Sequence, residues 1–264
     1  MSKVLEEFKV FLDEGTQASM EGGGKTYPHV YTESQSRFYS FKMVYDHLIK
    51  KLKSGERVSI LELGTSRSFK AGPHEGCGST DLKYWDPNHH EEWDWSAGIF
   101  TITLSKALQE TVDIDHSLIE FVTIDWSRDS CYISWVMTRS YEFVKVFHCE
   151  SEDALRDTFI RPCSWGPSPA WDVIYMDTAD FKDEQHMLDN VGPLHLREAQ
   201  LIVEKNLLTS KGIILIDDVK NSAPSTTSTL PNIAGLGKSF LSIPYLKEQG
   251  FKTIYEGYQF VMSR

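Results

Sequence analysis

The chain has 264 residues, enough for one substantial α/β core, and no Pro/Gly/Ser-rich linker divides it. Its 38 acidic residues outnumber 27 basic ones, for a net charge of −11, which argues against a nucleic-acid partner because such binding needs Lys and Arg to neutralise phosphates. The longest apolar runs have strand length, the N-terminus MSKVLEEFKVFLDEG is charged and amphipathic unlike a signal peptide, and Cys77, Cys131, Cys149 and Cys163 are scattered, so a reduced cytoplasmic protein is expected.

Residues 36–53 place Phe38, Phe41, Tyr45, Leu48 and Leu52 on one helical face, with Lys50, Lys51 and Lys53 at the negative end and Gly55 as terminator. Strand one is Val58–Leu63, followed by a glycine turn at Gly64 and the segment Phe69–Trp95, rich in Gly, His, Trp and Asp. A helix then starts at Asp94 or Ser96 as N-cap and reaches Gln109, with Phe100, Leu104 and Leu108 on one side. Strand two is Ile119–Ile124, a helix spans 129–141, strand three is Phe143–His148, and a short helix covers Glu152–Phe159. Strand four is Val173–Met176 and strand five Ile213–Ile216, with a helix at 194–208 between them carrying Leu196, Ala199, Val203 and Leu207. Two short strands, FKTIYEG and YQFVMSR, close the chain around Glu256-Gly257.

Strands alternating with helices imply a mostly parallel sheet covered on both faces, and the short final turn makes the last pair antiparallel. Ligands of such sheets sit beyond the carboxyl ends of the strands, where the strand order reverses. The residues there are Glu62-Leu-Gly-Thr-Ser66, Asp125-Trp126, Glu150-Ser151, Asp177 and Asp217-Asp218. Gly64 lets backbone approach a ligand without a Cβ in the way, and the hydroxyls of Thr65 and Ser66 are able to donate. Helix capping accounts for Ser151 and partly for Asp125. It fails for Asp177, Asp217 and Asp218, which follow neighbouring strands and would crowd three negative charges together. A hard divalent cation is the reading that resolves their repulsion.

In this ordered set the chain resembles class I S-adenosylmethionine-dependent methyltransferases, in particular the metal-dependent O-methyltransferases of the catechol and sugar type, over roughly residues 55–264. The resemblance implies a Rossmann-like, mostly parallel seven-stranded sheet with an antiparallel C-terminal strand and helices on both faces. It further implies S-adenosylmethionine bound by Glu62, Gly64, Thr65, Ser66, Asp125, Trp126 and Ser151, with Asp125 on the ribose. Asp177, Asp217 and Asp218 would hold Mg²⁺, or Mn²⁺ or Ca²⁺, which would activate a hydroxyl of a small-molecule acceptor. The family's base three residues after the strand-four carboxylate is here Asp180, and the nearest histidine is His186. Asp177, Asp180 and His186 are therefore the catalytic candidates, and His186 is chemically better suited to take a proton. A dinucleotide-dependent dehydrogenase is disfavoured, since TSRSFKA follows Gly64 where G-x-G-x-x-G would be needed.

Residues 1–54 are read as an N-terminal helical cover of the acceptor side, and 69–95 as a lid-like insertion at the cofactor mouth. Its His74, Cys77, His89 and His90 resemble a zinc set, but an aromatic lid carrying Tyr84, Trp85, Trp93 and Trp95 is the preferred reading. GGGK at 22–25 lacks the rest of a phosphate-binding loop. The expected partner is a small hydroxylated molecule, with neither nucleic acid nor membrane, and homo-oligomers remain open. A metal-independent N- or O-methyltransferase and a catalytically silent scaffold are the alternatives.

Overall fold

A computed structural model describes residues 37–65, 100–156, 170–179, 184–219 and 237–264. Helix α1 (Arg37–Lys53) buries Phe38, Phe41, Val44, Tyr45, Leu48 and Leu52 and ends before Gly55, whose φ of 77° suits a left-handed stop. After β1 (Val58–Leu63), α2 (Phe100–Gln109) leads to a 3-10 turn at His116–Leu118 and β2 (Ile119–Asp125). The hydroxyl of Ser127 caps α3 (Arg128–Thr138) by accepting from the Ser130 amide, and β3 (Val144–His148) and α4 (Ser151–Arg156) follow. Next come β4 (Trp171–Met176), the helical turn α5 (Glu184–His186), a π turn over Met187–Val191, and α6 (Gly192–Glu204). The chain ends with β5 (Leu208–Ile216), a 3-10 turn at Gly237–Ser239, α7 (Ser242–Glu248), β6 (Lys252–Glu256) and β7 (Phe260–Ser263).

The sheet has seven strands in the order β3-β2-β1-β4-β5-β7-β6. Pairs from β3 to β5 are parallel, while β7 runs antiparallel to both β5 and β6. The fold is thus the mixed, mostly parallel α/β sheet expected from the sequence. Alternation along the strands serves both faces. Val58, Ile60, Phe121, Val173 and Tyr175 pack under α1, α2 and α3, whereas Leu61, Leu63, Val122, Ile174 and Met176 pack against α4, α6 and α7. No helix among the described residues is long and apolar enough to cross a membrane.

The largest departure from the sequence pattern is α6. It starts at Gly192 with Pro193 in its first turn and buries Gly192, His195, Glu198, Ala199 and Ile202. The expected stripe through Leu196 and Val203 is only half-buried, and Leu207 lies beyond the helix, where its carbonyl accepts from the Trp171 amide. Two polar side chains on the inward face disguise its apolar period. Helix α7 was not apparent in the sequence, and β5 begins five residues earlier than its apolar run.

Strand order reverses between β1 and β4, and there the hydrogen-bond ladder runs one residue past the strands. Gly64 N–H donates to Ile124 O, Asp177 N–H to Leu63 O and Asp217 N–H to Met176 O. Asp125, Gly64, Asp177 and Asp217 consequently form a row across the carboxyl edge of the sheet. Gly64 has φ 90°, and a Cβ on it would lie 2.3 Å from the Asp177 carbonyl oxygen, so only glycine lets these strand ends close.

Below that row, Phe100 joins α2 to the sheet through the rings of Tyr175 at 4.5 Å and Phe121 at 5.8 Å, and to α1 through Phe41 at 5.0 Å. Phe100→Ala should cost about 3–5 kcal/mol, the range for deleting a buried phenyl ring, read from the urea midpoint. A loss below about 1 kcal/mol would show that this cluster does not anchor α2.

Candidate active site

On one side of the row the Asp125 carboxylate accepts from the Ser127 amide at 2.7 Å and the Thr65 amide at 3.2 Å. It thereby ties the end of β2 to the turn after β1. A carboxylate in this place presents acceptor oxygens at the carboxyl end of β2. The Thr65 hydroxyl turns inward and donates to Ser134 Oγ at 2.7 Å, so what this residue offers outward is backbone. Trp126 is 69 % exposed beside Asp125, and its carbonyl lies 2.8 Å from His148 Nε2.

Glu62 lies beneath the turn, fully buried in the ladder between Thr123 and Tyr175. Its Oε2 accepts from the hydroxyls of Thr101 and Thr123, and Oε1 has no hydrogen-bond partner among the described residues. Burial raises its pKa to about 8, the two threonine hydroxyls opposing the shift and the Asp177 charge adding to it.

Across the switch point stand Asp177, Asp217 and Asp218, the three carboxylates whose repulsion suggested a divalent ion. Here two cations already compensate them. Lys238, on the turn Gly237–Ser239, places Nζ 2.8 Å from Asp177 Oδ1 and 3.1 Å from Asp218 Oδ2. Arg37, at the start of α1, places Nη2 3.0 Å from Asp217 Oδ2. Asp217 is fully buried and also accepts from Tyr175 Oη at 2.6 Å, Gln259 Nε2 at 2.9 Å and the Asp218 amide at 2.9 Å. Tyr258 donates to Asp218 and stacks its ring under the Arg37 guanidinium, 4.7 Å from its centroid. Asp217 has no side left for a metal, and an ammonium occupies the space between the other two. This donor set does not fit the divalent ion expected from the sequence, and no group of three or more His, Cys, Asp or Glu able to hold one occurs among the described residues.

Among the described residues, two cations stand against these three carboxylates. Burial, with Asp217 and Asp218 adding to it and Lys238 opposing, lifts Asp177 to about 7. For Asp218, burial is outweighed by Lys238 and Arg37, and its pKa falls below the usual carboxylate range. Of Asp177 and Asp218, Asp177 is therefore the one that takes a proton first. Its side chain is 16 % exposed and that of Asp218 26 %, while Lys238 is buried.

The hydroxyl of Ser151, expected near the cofactor, donates to buried Glu198 instead, which also accepts from Thr178 Oγ1 at 2.8 Å. His195 continues this chain, with Nε2 2.9 Å from Thr178 O and Nδ1 3.1 Å from Ser239 Oγ. Burial, reinforced by Lys238, lowers His195 to about 3 and keeps it neutral, while burial raises Glu198 to about 7. His186 closes α5 and is half-buried. Ser66, Asp180, the 69–95 insertion with its possible zinc residues, GGGK at 22–25 and residues 1–36 of the N-terminal cover lie outside the described residues.

Sequence reasoning missed Arg37, Lys238, Tyr258, Gln259, His195 and Glu198. Arg37 carried a signal, since a cation in the first turn opposes the helix dipole and wants a partner elsewhere. His195 and Glu198 share a face at i, i+3, but nothing local marks Lys238 or Gln259.

No protein-family model matches the sequence, and neither does any curated protein. Among solved structures, the chain is similar to the SAH-bound methyltransferase PaMTH1 of Podospora anserina, at 15 % identity and TM-score 0.48, over 100 % of this chain and 88 % of that one. It is similar to a SAM-dependent methyltransferase from Aquifex aeolicus, at 14 % identity and TM-score 0.41, over 85 % of this chain and 95 % of that one. Fibrillarin from Aeropyrum pernix with natively bound S-adenosyl-L-methionine gives 12 % identity and TM-score 0.41, over 82 % of this chain and 73 % of that one. At such low identity and TM-score, none of their ligands or reactions carries over to this chain.

Glu62 sets a pH dependence of stability. Its neutral form is favoured in the fold, so its contribution is full below its ordinary value of 4.5 and is lost as pH rises through about 8. Urea midpoints of the wild type should fall between about pH 5 and about pH 9, and Glu62→Gln should remove a part of that fall on the order of 4 kcal/mol. Parallel pH profiles for the two proteins would refute a protonated Glu62.

Proposed function

We propose that this chain transfers a methyl group from S-adenosylmethionine to a nucleophilic atom of a small molecule, without a divalent metal. The observation that carries the reading is the row of strand-end residues at the switch point, with Asp125 and the Gly64 turn on one side and Asp177 on the other. A bound S-adenosylmethionine supplies a methyl group on a positively charged sulfur, open to in-line displacement. Asp125, an acceptor at the end of β2 beside the Gly64 turn, suits the ribose diol, and exposed Trp126 offers a face for the adenine. Buried Glu62 has no partner at Oε1 among the described residues, and the ammonium of the methionine moiety is a donor that would complete it. Thr65 offers backbone; Ser66 belongs to the same proposed set. Ser151 contributes through its position at the start of α4, its hydroxyl being engaged by Glu198.

On the acceptor side, Asp177 is the proposed base. A carboxylate whose proton affinity is raised to near neutrality can take the acceptor's proton while its oxygen or nitrogen bonds to the methyl carbon. The carbon–sulfur electron pair stays on sulfur, and the proton ends on Asp177. Asp180 and His186 are the alternative bases. Segment 1–54 is part of the acceptor side in this reading through Arg37, which braces Asp217 and Asp218. The acceptor class stays at a small hydroxylated or amine molecule, in keeping with the net charge of −11. A cytoplasmic location belongs to the same proposal.

Calorimetric titration with S-adenosylhomocysteine should show binding by the wild type, weakened by about 1–3 kcal/mol in Asp125→Ala, the scale of a hydrogen bond to a charged group. Binding by neither protein would sink the methyl-transfer reading. Once an acceptor is found, the rate should rise with pH through about 7 as Asp177 loses its proton. Asp177→Asn should lose that limb and roughly 10²–10⁴-fold in kcat. An unchanged profile in Asp177→Asn, with the limb lost in His186→Ala, would assign the base to His186.

A further inference from the structure

We propose that Lys238 is a built-in cation, standing between Asp177 and Asp218 where a divalent ion would otherwise be held, and that the wild-type site has no use for a metal. The ammonium bridges two of the three carboxylates, at 2.8 Å and 3.1 Å, and is 1 % exposed. Its position is built into the backbone on both sides. Gly237 has φ 48°, and a Cβ there would lie 2.1 Å from the Asp218 carbonyl oxygen and 2.8 Å from that of Val219, so this segment is pressed directly onto the end of β5. On the other side Ser239 Oγ meets His195 Nδ1, whose ring reaches the Thr178 carbonyl just after Asp177. The turn carrying Lys238 is thus clamped to the loops after both β4 and β5. A metal at this place would have to expel a buried ammonium from its two counter-charges, an arrangement with a large electrostatic cost.

The inference deepens the methyl-transfer reading and rests on it for one consequence only. A divalent ion would recognise the acceptor through a chelating pair of oxygens. With Lys238 in its place, the acceptor meets Asp177 and Asp218, the carboxylates that keep some exposure, and is gripped as a hydrogen-bond donor. One hydroxyl or amine suffices, and no neighbouring oxygen is required. Lys238 itself is a positioning residue that holds both carboxylates toward the acceptor.

The test measures Mn²⁺ binding by electron paramagnetic resonance and thermal stability in chelator against MnCl₂, on the full chain without cofactor. Wild type should bind no stoichiometric Mn²⁺ and melt identically in both conditions. Lys238→Ala vacates the cation position and leaves an all-oxygen set, so it should gain one Mn²⁺ site, tighter than any wild-type binding by at least about tenfold, and be stabilised by the ion. Lys238→Arg, which keeps the charge, should behave as wild type. Lys238→Gln, which keeps a donor toward one carboxylate, is the second variant should the alanine form fold poorly, and Mn²⁺ should restore its folding. Stoichiometric Mn²⁺ on wild type that is lost in Asp218→Asn would overturn the proposal. So would folded Lys238→Ala or Lys238→Gln protein that gains no Mn²⁺, or either variant staying unfolded in Mn²⁺ as in chelator, because a vacated cation site should refill. An S-adenosylhomocysteine titration run alongside separates the two readings, since its failure leaves the cation result untouched.

Discussion

The buried carboxylate of Asp217 holds the carboxyl edge of this sheet together. It lies at the end of β5 and receives Arg37 from α1, Tyr175 from β4 and Gln259 from the entry to β7. A lone carboxylate in that position would cost several kcal/mol, and removing one partner of such a pair is commonly worth about 3–5 kcal/mol. The network therefore fixes where α1 begins, how the antiparallel β7 meets β5, and which way Asp218 faces after its left-handed turn at φ 51°.

From that fixed point the charges of the site follow. With Arg37 paired to Asp217, Lys238 is shared by Asp177 and Asp218, and burial, with the charges of Asp217 and Asp218 adding to it, raises the proton affinity of Asp177. Burial likewise raises Glu62, two residues below the row, and the Asp177 charge adds to that shift. Buried groups poised to change protonation near neutrality thus gather at the strand ends, as expected of a reacting centre. A second polar chain, Ser151–Glu198–Thr178–His195–Ser239, runs behind the row on the face of α6. It links the start of α4 with the turn that carries Lys238. Neutral His195 gives that chain a rigid hydrogen-bonding member and adds no charge to the cluster.

Much of the frame was legible in the chain itself. The run VSILELGTS announced a buried parallel strand ending in a close backbone approach, and Gly64 proved to be the residue whose missing side chain lets β1 and β4 meet. WDVIYMD and GIILIDD announced their strands and the carboxylates that follow them. The helix over 36–53 was readable because its buried residues are apolar and regularly spaced. Helix α6 was misread because His195 and Glu198 stand on its buried face, where a pattern of apolar residues gives no sign of them.

What the sequence determined by itself was the succession of strands and helices, the placing of acidic residues at strand ends, and the need of Asp177, Asp217 and Asp218 for positive charge. Periodicity and turn chemistry are local, and local order suffices for those. What supplies that charge was a tertiary decision. Arg37 lies 180 positions before Asp217, and Lys238 lies 61 beyond Asp177 on a turn without a distinguishing motif. Only the packing of α1 and of the segment after β5 against the sheet edge brings two cations to carboxylates that a one-dimensional pattern would have left to a metal.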